Sequence, residues 1–399
     1  MLGVKSYPIY AFVIAASLLL TWISERNKRL KDYGLHPQRA STRWFFLAFL
    51  VPCIMITFTD SGVDYNNYLS LIELYRDTPL KDIWSIQSVE PLFVLFSQFV
   101  LRIFDNPHMV LFFLKLITIC AYFYAIYYFS DRISAFFSVF AYFAVIFPGS
   151  FYIIRQNFSC AMFCLCLCEM NGKKRRWLQI LYLLLAVFMH YTAVVFAAIW
   201  LYDVLVSKSR KNQKWLIVAG IAVILLIYLN FQSFINLLSG FWLVGNYSNY
   251  IESVSEYQGS GIVQIVYYLP VFFTWWMYVR KKKYAPIYDE LVILSAMSFA
   301  FAQLGYLFSS FIRMSYYSMV TFCILLPMLC WDAGVEPGQM QLLSFRVHLK
   351  GRDVTRLTVS AAMFLYLGFR MYINYTNLLE YRNDSQLYWY HFIVPWLYQ

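Results

Sequence analysis

A short set of ionisable side chains sits at the edges of long apolar stretches, where a charge is costly and usually faces a cavity or a partner. Asp60 and Asp64 lie in Thr59-Asp60-Ser61-Gly62-Val63-Asp64-Tyr65, and Glu90 opens Glu90-Pro91-Leu92-Phe93. Arg155, with Gln156 beside it, follows a Pro148-Gly149 break. His190 separates two apolar runs, and Arg313 stands in Phe311-Ile312-Arg313-Met314-Ser315-Tyr316-Tyr317. Guanidinium forks bind phosphate oxygens in pairs and stabilise a phosphate leaving group. A neighbouring carboxylate or imidazole removes the proton from an attacking hydroxyl. Two arginines, several carboxylates and one imidazole therefore suit displacement at a phosphate-linked centre.

Each residue also has a plainer reading. Asp60 and Asp64 serve equally as solvated loop acids, and Glu90 before a proline as a helix cap. Arg155 can snorkel to an interface, and His190 can be a satisfied core histidine. The aromatic residues Trp242, Tyr247, Tyr250, Tyr257, Trp389, Tyr390 and Trp396 suit stacking on sugar faces, but most fit an ordinary interfacial belt better.

The elements that must position these groups follow from composition. The chain is 61% hydrophobic and only 13% charged over 399 residues, outside the balance of soluble domains. Apolar runs of about 17–23 residues recur, the length that spans a hydrocarbon core of about 30 Å. The net charge of +11 lies in short clusters between those runs, such as Arg26-Asn27-Lys28-Arg29, Lys173-Lys174-Arg175-Arg176 and Arg280-Lys281-Lys282-Lys283. That pattern marks cytoplasmic loops and argues against a nucleic-acid partner.

The expected fold is all-α, a polytopic membrane helix bundle of about twelve spans in one integral domain over 1–399. Spans are expected near 7–24, 43–59, 109–129, 133–148, 151–169, 215–231, 262–279, 287–308, 311–330 and 356–373. Residues 60–108 form an external loop carrying an interfacial helix from Pro91 to Phe104. Basic clusters on both sides of Trp177 to Tyr202 make that stretch a short re-entrant hairpin with His190 at its turn. A second external loop covers 232–261, and an external tail covers 374–399. The candidate residues then gather on the non-cytoplasmic side.

The eight cysteines include Cys160, Cys164, Cys166 and Cys168 in one apolar run, with neither CxxC spacing nor basic neighbours. They read as small packing residues and give no disulfide framework or metal site. No cofactor is expected.

The motifs Gly62-Val63-Asp64-Tyr65 with Tyr68, Glu90-Pro91-Leu92-Phe93, Arg155-Gln156-Asn157 and His190-Tyr191-Thr192-Ala193 resemble, in order and spacing, the EpsG-like membrane proteins. These are similar to Wzy-type polymerases of O-antigen, capsule and exopolysaccharide, and the resemblance covers roughly residues 40–330. The Phe-rich interfacial helix before a long span also resembles the layout of GT-C glycosyltransferases. The resemblance implies transfer of a growing glycan from undecaprenyl diphosphate to a sugar hydroxyl of the next lipid-linked unit. The reaction would lie outside the bacterial cytoplasmic membrane, with a flippase and a chain-length regulator as pathway partners.

By position, Arg155 and Arg313 would hold the diphosphates, and His190 or Asp64 would act as base. Glu90 and Gln156 would orient substrate, with Asp60, Tyr65 and Tyr316 as further contacts. Asn157 departs from the small or apolar residue expected there and stays outside the site. An O-antigen ligase or a GT-C glycosyltransferase would share these residues. A lipid-linked oligosaccharide flippase is the non-enzymatic alternative, although transporters often show a second broken helix that this chain lacks.

Overall fold

A computed structural model describes residues 4–31, 39–62, 64–79, 81–82, 90–172, 175–206, 265–273, 286–304, 313–332, 348–349, 352–380, 389–390 and 393–395. The loop expected at 232–261, the span at 215–231, Trp396 and the basic cluster at Arg280 lie outside these residues. The described chain is almost wholly helical and divides into two compact units. One comprises Met1–His190 with Phe322–Gln399, and the other Tyr191–Thr321.

The first unit holds α1 (Ser6–Lys31), α2 (Thr42–Thr57), α3 (Tyr65–Asp77), α4 (Pro91–Phe104), α5 (Pro107–Phe129), α6 (Ala135–Ala141), α7 (Ile154–Asn171) and α8 (Arg176–Met189). The long helix α12 (Val354–Glu380) returns to pack beside them. Helices α1 and α2 lie close because Ser17 donates to the Ala48 carbonyl at 2.7 Å, and Ala48 carries no bulk to keep them apart.

Two sets of chain ends meet. At one end the Ser41 amide bonds the Ser24 carbonyl, and the Ala40 amide bonds Ser130 Oγ. There Glu25 of α1 accepts from Ser134 Oγ and the Phe136 amide, both at 3.0 Å, and so caps the first turn of α6 with a negative charge. At the other end β1 (Val4–Lys5) pairs antiparallel with β4 (Trp389–Tyr390). The Ile393 amide there reaches the Phe58 carbonyl, and Asn106 Nδ2 reaches the Pro395 carbonyl. The segments at Val4–Lys5 and Trp389–Tyr390 thus lie side by side. A second small pairing joins β2 (His348–Leu349) to β3 (Arg352–Asp353).

The helix after α6 loses its α register. A π turn runs through Tyr142–Ile146 and a 3₁₀ turn through Phe147–Phe151. The Phe147 amide reaches back to the Tyr142 carbonyl, and Pro148 has no amide hydrogen to give to Ala144. Two carbonyls are therefore without their intrahelical donors, and α12 supplies substitutes. Tyr375 donates its hydroxyl to the Phe143 carbonyl at 3.3 Å, and Asn374 Nδ2 donates to the Ala144 carbonyl at 2.6 Å.

The second unit holds α9 (Val194–Val206), a helix at 265–273, α10 (Pro286–Leu304) and a 3₁₀ turn at Tyr316–Ser318. The fully buried Tyr317 packs edge-on against Phe196 at 4.8 Å, and its hydroxyl meets Thr192 Oγ1 at 2.5 Å. Helix α11 (Met319–Asp332) runs from this unit into the first.

The expectation of a helical protein stands, while the individual spans need correction. Pro8–Asn27 and Pro107–Phe129 are the described helices long and apolar enough to cross a membrane. Thr42–Thr57, Arg176–Met189 and Glu290–Leu304 are apolar but shorter, and Ala135–Phe151 is broken by the π and 3₁₀ turns. Helix α12 continues to Glu380, past the end expected at residue 373, so Asn374 and Tyr375 are helical. The loop after Asp60 contains an unexpected helix, α3. Its buried residues Tyr65, Ile72 and Tyr75 recur at helical spacing and cover one face.

Candidate functional site

Glu90 is the N-cap of α4, with Pro91 at the first helical position. Its side chain makes no capping hydrogen bond. It turns instead to two partners from distant parts of the first unit. Glu90 Oε2 takes a charge-assisted bond from Arg155 Nη1, and Glu90 Oε1 lies 2.8 Å from His190 Nδ1. Arg155 and His190 face this carboxylate because of where their helices break. The 3₁₀ turn ends at Phe151 and α7 starts at Ile154, which puts Arg155 in the first turn. Helix α8 stops at Met189, and His190 follows in extended backbone with its amide still on the Ala186 carbonyl. Ser159 Oγ on α7 donates to that same carbonyl at 2.7 Å, which fixes the two helix ends side by side.

The carboxylate is buried, with 4% of its side chain exposed, whereas Arg155 keeps 24% and His190 15%. The cation and the imidazole are therefore partly exposed, while the acid lies behind them. Burial pushes the Glu90 carboxyl up, and the His190 hydrogen bond and Arg155 charge outweigh it, bringing it to about 2. Glu90 is thus ionised at neutral pH. The carboxylate engages Nδ1 of the imidazole rather than Nε2.

Aromatic rings flank the arginine. The Arg155 guanidinium lies 5.3 Å from the Phe93 ring centre and 5.6 Å from that of Tyr68. Phe93 is fully buried and meets Tyr68 and Tyr75 edge-on at 5.9 and 6.1 Å.

A second polar group lies at the start of α3. Lys115 of α5 is 3% exposed, donates to the Thr59 carbonyl at 3.0 Å, and stands 4.7 Å above the Tyr65 ring. The Tyr65 hydroxyl meets His108 Nδ1 at 2.9 Å. Asp60 lies within Coulombic reach of both Lys115 and His108. Tyr65, a candidate substrate contact, is therefore a buried member of this cluster.

Asp64 is the half-buried N-cap of α3, with its carboxylate 3.5 Å from Asn67 Nδ2. Gln156 is buried one position beyond Arg155. Asn157 bridges Tyr122 and Ser150 at 2.8 and 2.7 Å, a strut between α5 and the 3₁₀ turn. Arg313 is exposed and Tyr316 half-buried in the second unit. Glu90, Arg155 and His190 are thus the candidates brought into direct contact.

Sequence reasoning missed Lys115 and His108, and it quoted Tyr68 and Phe93 as motif residues without placing them beside Arg155. Lys115 carried a usable signal, a lone cation in the middle of a 23-residue apolar helix. Six of the seven described cysteines are buried and Cys120 is exposed, all as free thiols. Among the described residues no group of three or more His, Cys, Asp or Glu is placed to hold a metal ion.

No curated protein and no solved structure matches the chain. A model of the EpsG family matches residues 42–332, from the start of α2 to the end of α11 and across every residue of the Glu90 cluster, and the chain belongs to the EpsG family.

Proposed function

We propose that this protein is a polysaccharide repeat-unit polymerase of the bacterial cytoplasmic membrane. It moves a glycan from undecaprenyl diphosphate to a hydroxyl of a lipid-linked acceptor at the outer face. It crosses the bilayer as a multi-pass helix bundle whose shorter helices complete the layout. The observation that carries this reading is the single buried carboxylate bridging Arg155 and His190.

His190 Nε2 takes the proton from the acceptor hydroxyl, whose oxygen attacks the anomeric carbon of the donor. The bond from that carbon to the diphosphate oxygen breaks, and undecaprenyl diphosphate leaves with the bonding pair. Arg155 stabilises the charge that grows on the leaving oxygens. Glu90 keeps the arginine aimed and stabilises the imidazolium that forms, as the buried acid of a hydrolase triad does. Arg313 and Tyr316 meet the second lipid diphosphate, and Asp60, Asp64 and Gln156 contact the sugars.

The test is to reconstitute the full chain in vesicles, supply lipid-diphosphate-linked repeat units, and look for a ladder of products. A ladder that disappears in Arg155→Ala and in His190→Ala supports the reading. Single transfer to a different acceptor without a ladder would make the protein a ligase. Movement of lipid-linked units without transfer would make it a flippase.

A further inference from the structure

A buried ammonium in the middle of an apolar helix is costly unless its contacts do something. Lys115 has Asp60 within Coulombic reach and makes two direct contacts, both on the short connection from α2 to α3. One is its bond to the Thr59 carbonyl, the other its place over the Tyr65 ring. The connection is otherwise small and self-bonded. Thr59 Oγ1 bonds Ser61 Oγ at 2.9 Å and receives the Ser61 amide at 3.1 Å. Gly62 at φ +144° lies against the Phe151 carbonyl, beside the turn that leads to Arg155.

Tyr65 is the first residue of α3, and Tyr68 follows three positions later on the same helix face. Tyr68 is one of the two rings that flank the Arg155 guanidinium. One helical turn therefore links the Lys115 contact at Tyr65 to the ring that flanks Arg155. His108 steadies the same point from the N-terminus of α5 through the Tyr65 hydroxyl.

We propose that Lys115 is a positioning residue that, by pinning Thr59 and Tyr65, sets α3 so that the Tyr68 ring covers one side of the Arg155 guanidinium. In the polymerase reading, on which its catalytic meaning rests, Lys115 thereby fixes how Arg155 meets the donor diphosphate. It touches no reacting atom itself.

The test uses the full chain in vesicles and phenylglyoxal, which reacts with accessible guanidinium groups. Mass spectrometry locates the modified arginines. In Lys115→Met the α3 wall loosens, and Arg155 labelling rises about fivefold while labelling at Arg102 and Arg132 stays unchanged. Lys115→Arg restores labelling to within about twofold of the native protein. Tyr65→Leu, which removes the ring beneath the ammonium, repeats the rise. Unchanged Arg155 labelling in Lys115→Met would overturn the proposal. So would an equal rise at all three arginines, which would mark Lys115 as a general structural strut. In parallel, Lys115→Met raises the donor KM about tenfold with kcat within about threefold. A fall in kcat alone would overturn the link to donor binding. The labelling arm needs no turnover, so absence of a ladder with native protein would remove the polymerase reading and leave the labelling result to decide the placement of Lys115.

Discussion

Glu90 and His190 stand 100 positions apart in the chain, yet Glu90 Oε1 lies 2.8 Å from His190 Nδ1. The contact needs two helix ends to be cut at the right residue. Helix α4 must begin after Glu90, which Pro91 ensures, and α8 must stop before His190. The second Glu90 oxygen holds Arg155. One buried carboxylate thus places a guanidinium and an imidazole side by side.

Replacing Glu90 by Gln tests that arrangement with almost no change of shape. The amide can still bond one partner but carries no charge to aim Arg155 or to stabilise the imidazolium. Product formation should fall about 10²–10⁴-fold, the range for loss of a positioned acid–base pair. The rate of ladder growth in vesicles measures it. A loss below about threefold would mean that His190 and Arg155 act without their shared acid.

The same carboxylate should shape acid stability. Its folded value of about 2 lies below the ordinary 4.5, so the native state binds fewer protons at Glu90 than the unfolded state does between those values. The stabilisation is complete above about pH 4.5 and is lost as pH falls toward 2. Thermal melts of the detergent-solubilised protein at pH 6, 4.5 and 3.5 should show Tm falling over the acid step. Glu90→Gln should start lower at pH 6 and fall less, so that the two curves converge. Parallel curves would show that Glu90 carries no such linkage.

Much of this site was legible in the sequence, for a physical reason. Glu90, Arg155 and His190 are polar groups beside apolar runs, and each sits at a proline or a break that halts a helix. What was not legible was their pairing, because Glu90 reads equally as a cap, and the packing of α4 against α8 is non-local. Lys115 is a single cation inside an apolar helix, and its contacts with Thr59 and Tyr65 come from packing that the sequence does not show. The irregular turn after α6 was foreshadowed by Pro148-Gly149. Its π component was hidden, because its missing donors come from Asn374 and Tyr375, more than 200 residues away. Helix α3 was written in the spacing of Tyr65, Tyr68, Ile72 and Tyr75, but it sits in a loop long enough to be read as irregular.

Gly62 offers a sharp steric test. Its φ of +144° lies in the region that L side chains avoid, and a Cβ there would stand 2.1 Å from the Phe151 carbonyl oxygen. Gly62→Ala must therefore move the loop away from the turn before Arg155. A loss of about 1–3 kcal/mol is expected, with loss of activity. Gly368 in α12 has nothing within 4 Å of a built Cβ, and Gly368→Ala should be neutral or stabilising by up to about 1 kcal/mol. Comparing the two Tm shifts checks the claim, and a Gly62→Ala protein as stable as Gly368→Ala would refute it.

The π turn makes its own prediction through Pro148. Without an amide hydrogen at 148, the Ala144 carbonyl depends on Asn374 Nδ2 from α12. Asn374→Ala should leave that carbonyl unpaired in an apolar setting and cost about 1–3 kcal/mol, read as a fall in Tm. Restoring a backbone donor at 148 should offset the loss. The double variant Pro148→Ala with Asn374→Ala should therefore be more stable than the sum of the two single changes predicts, with a coupling of about 1 kcal/mol. Strict additivity would mean that Asn374 and Pro148 act on different groups, and the account of the turn would fail with it. Activity should follow the same pattern, because Phe147–Phe151 lead directly to Arg155 and any drift in that turn swings the guanidinium away from Glu90.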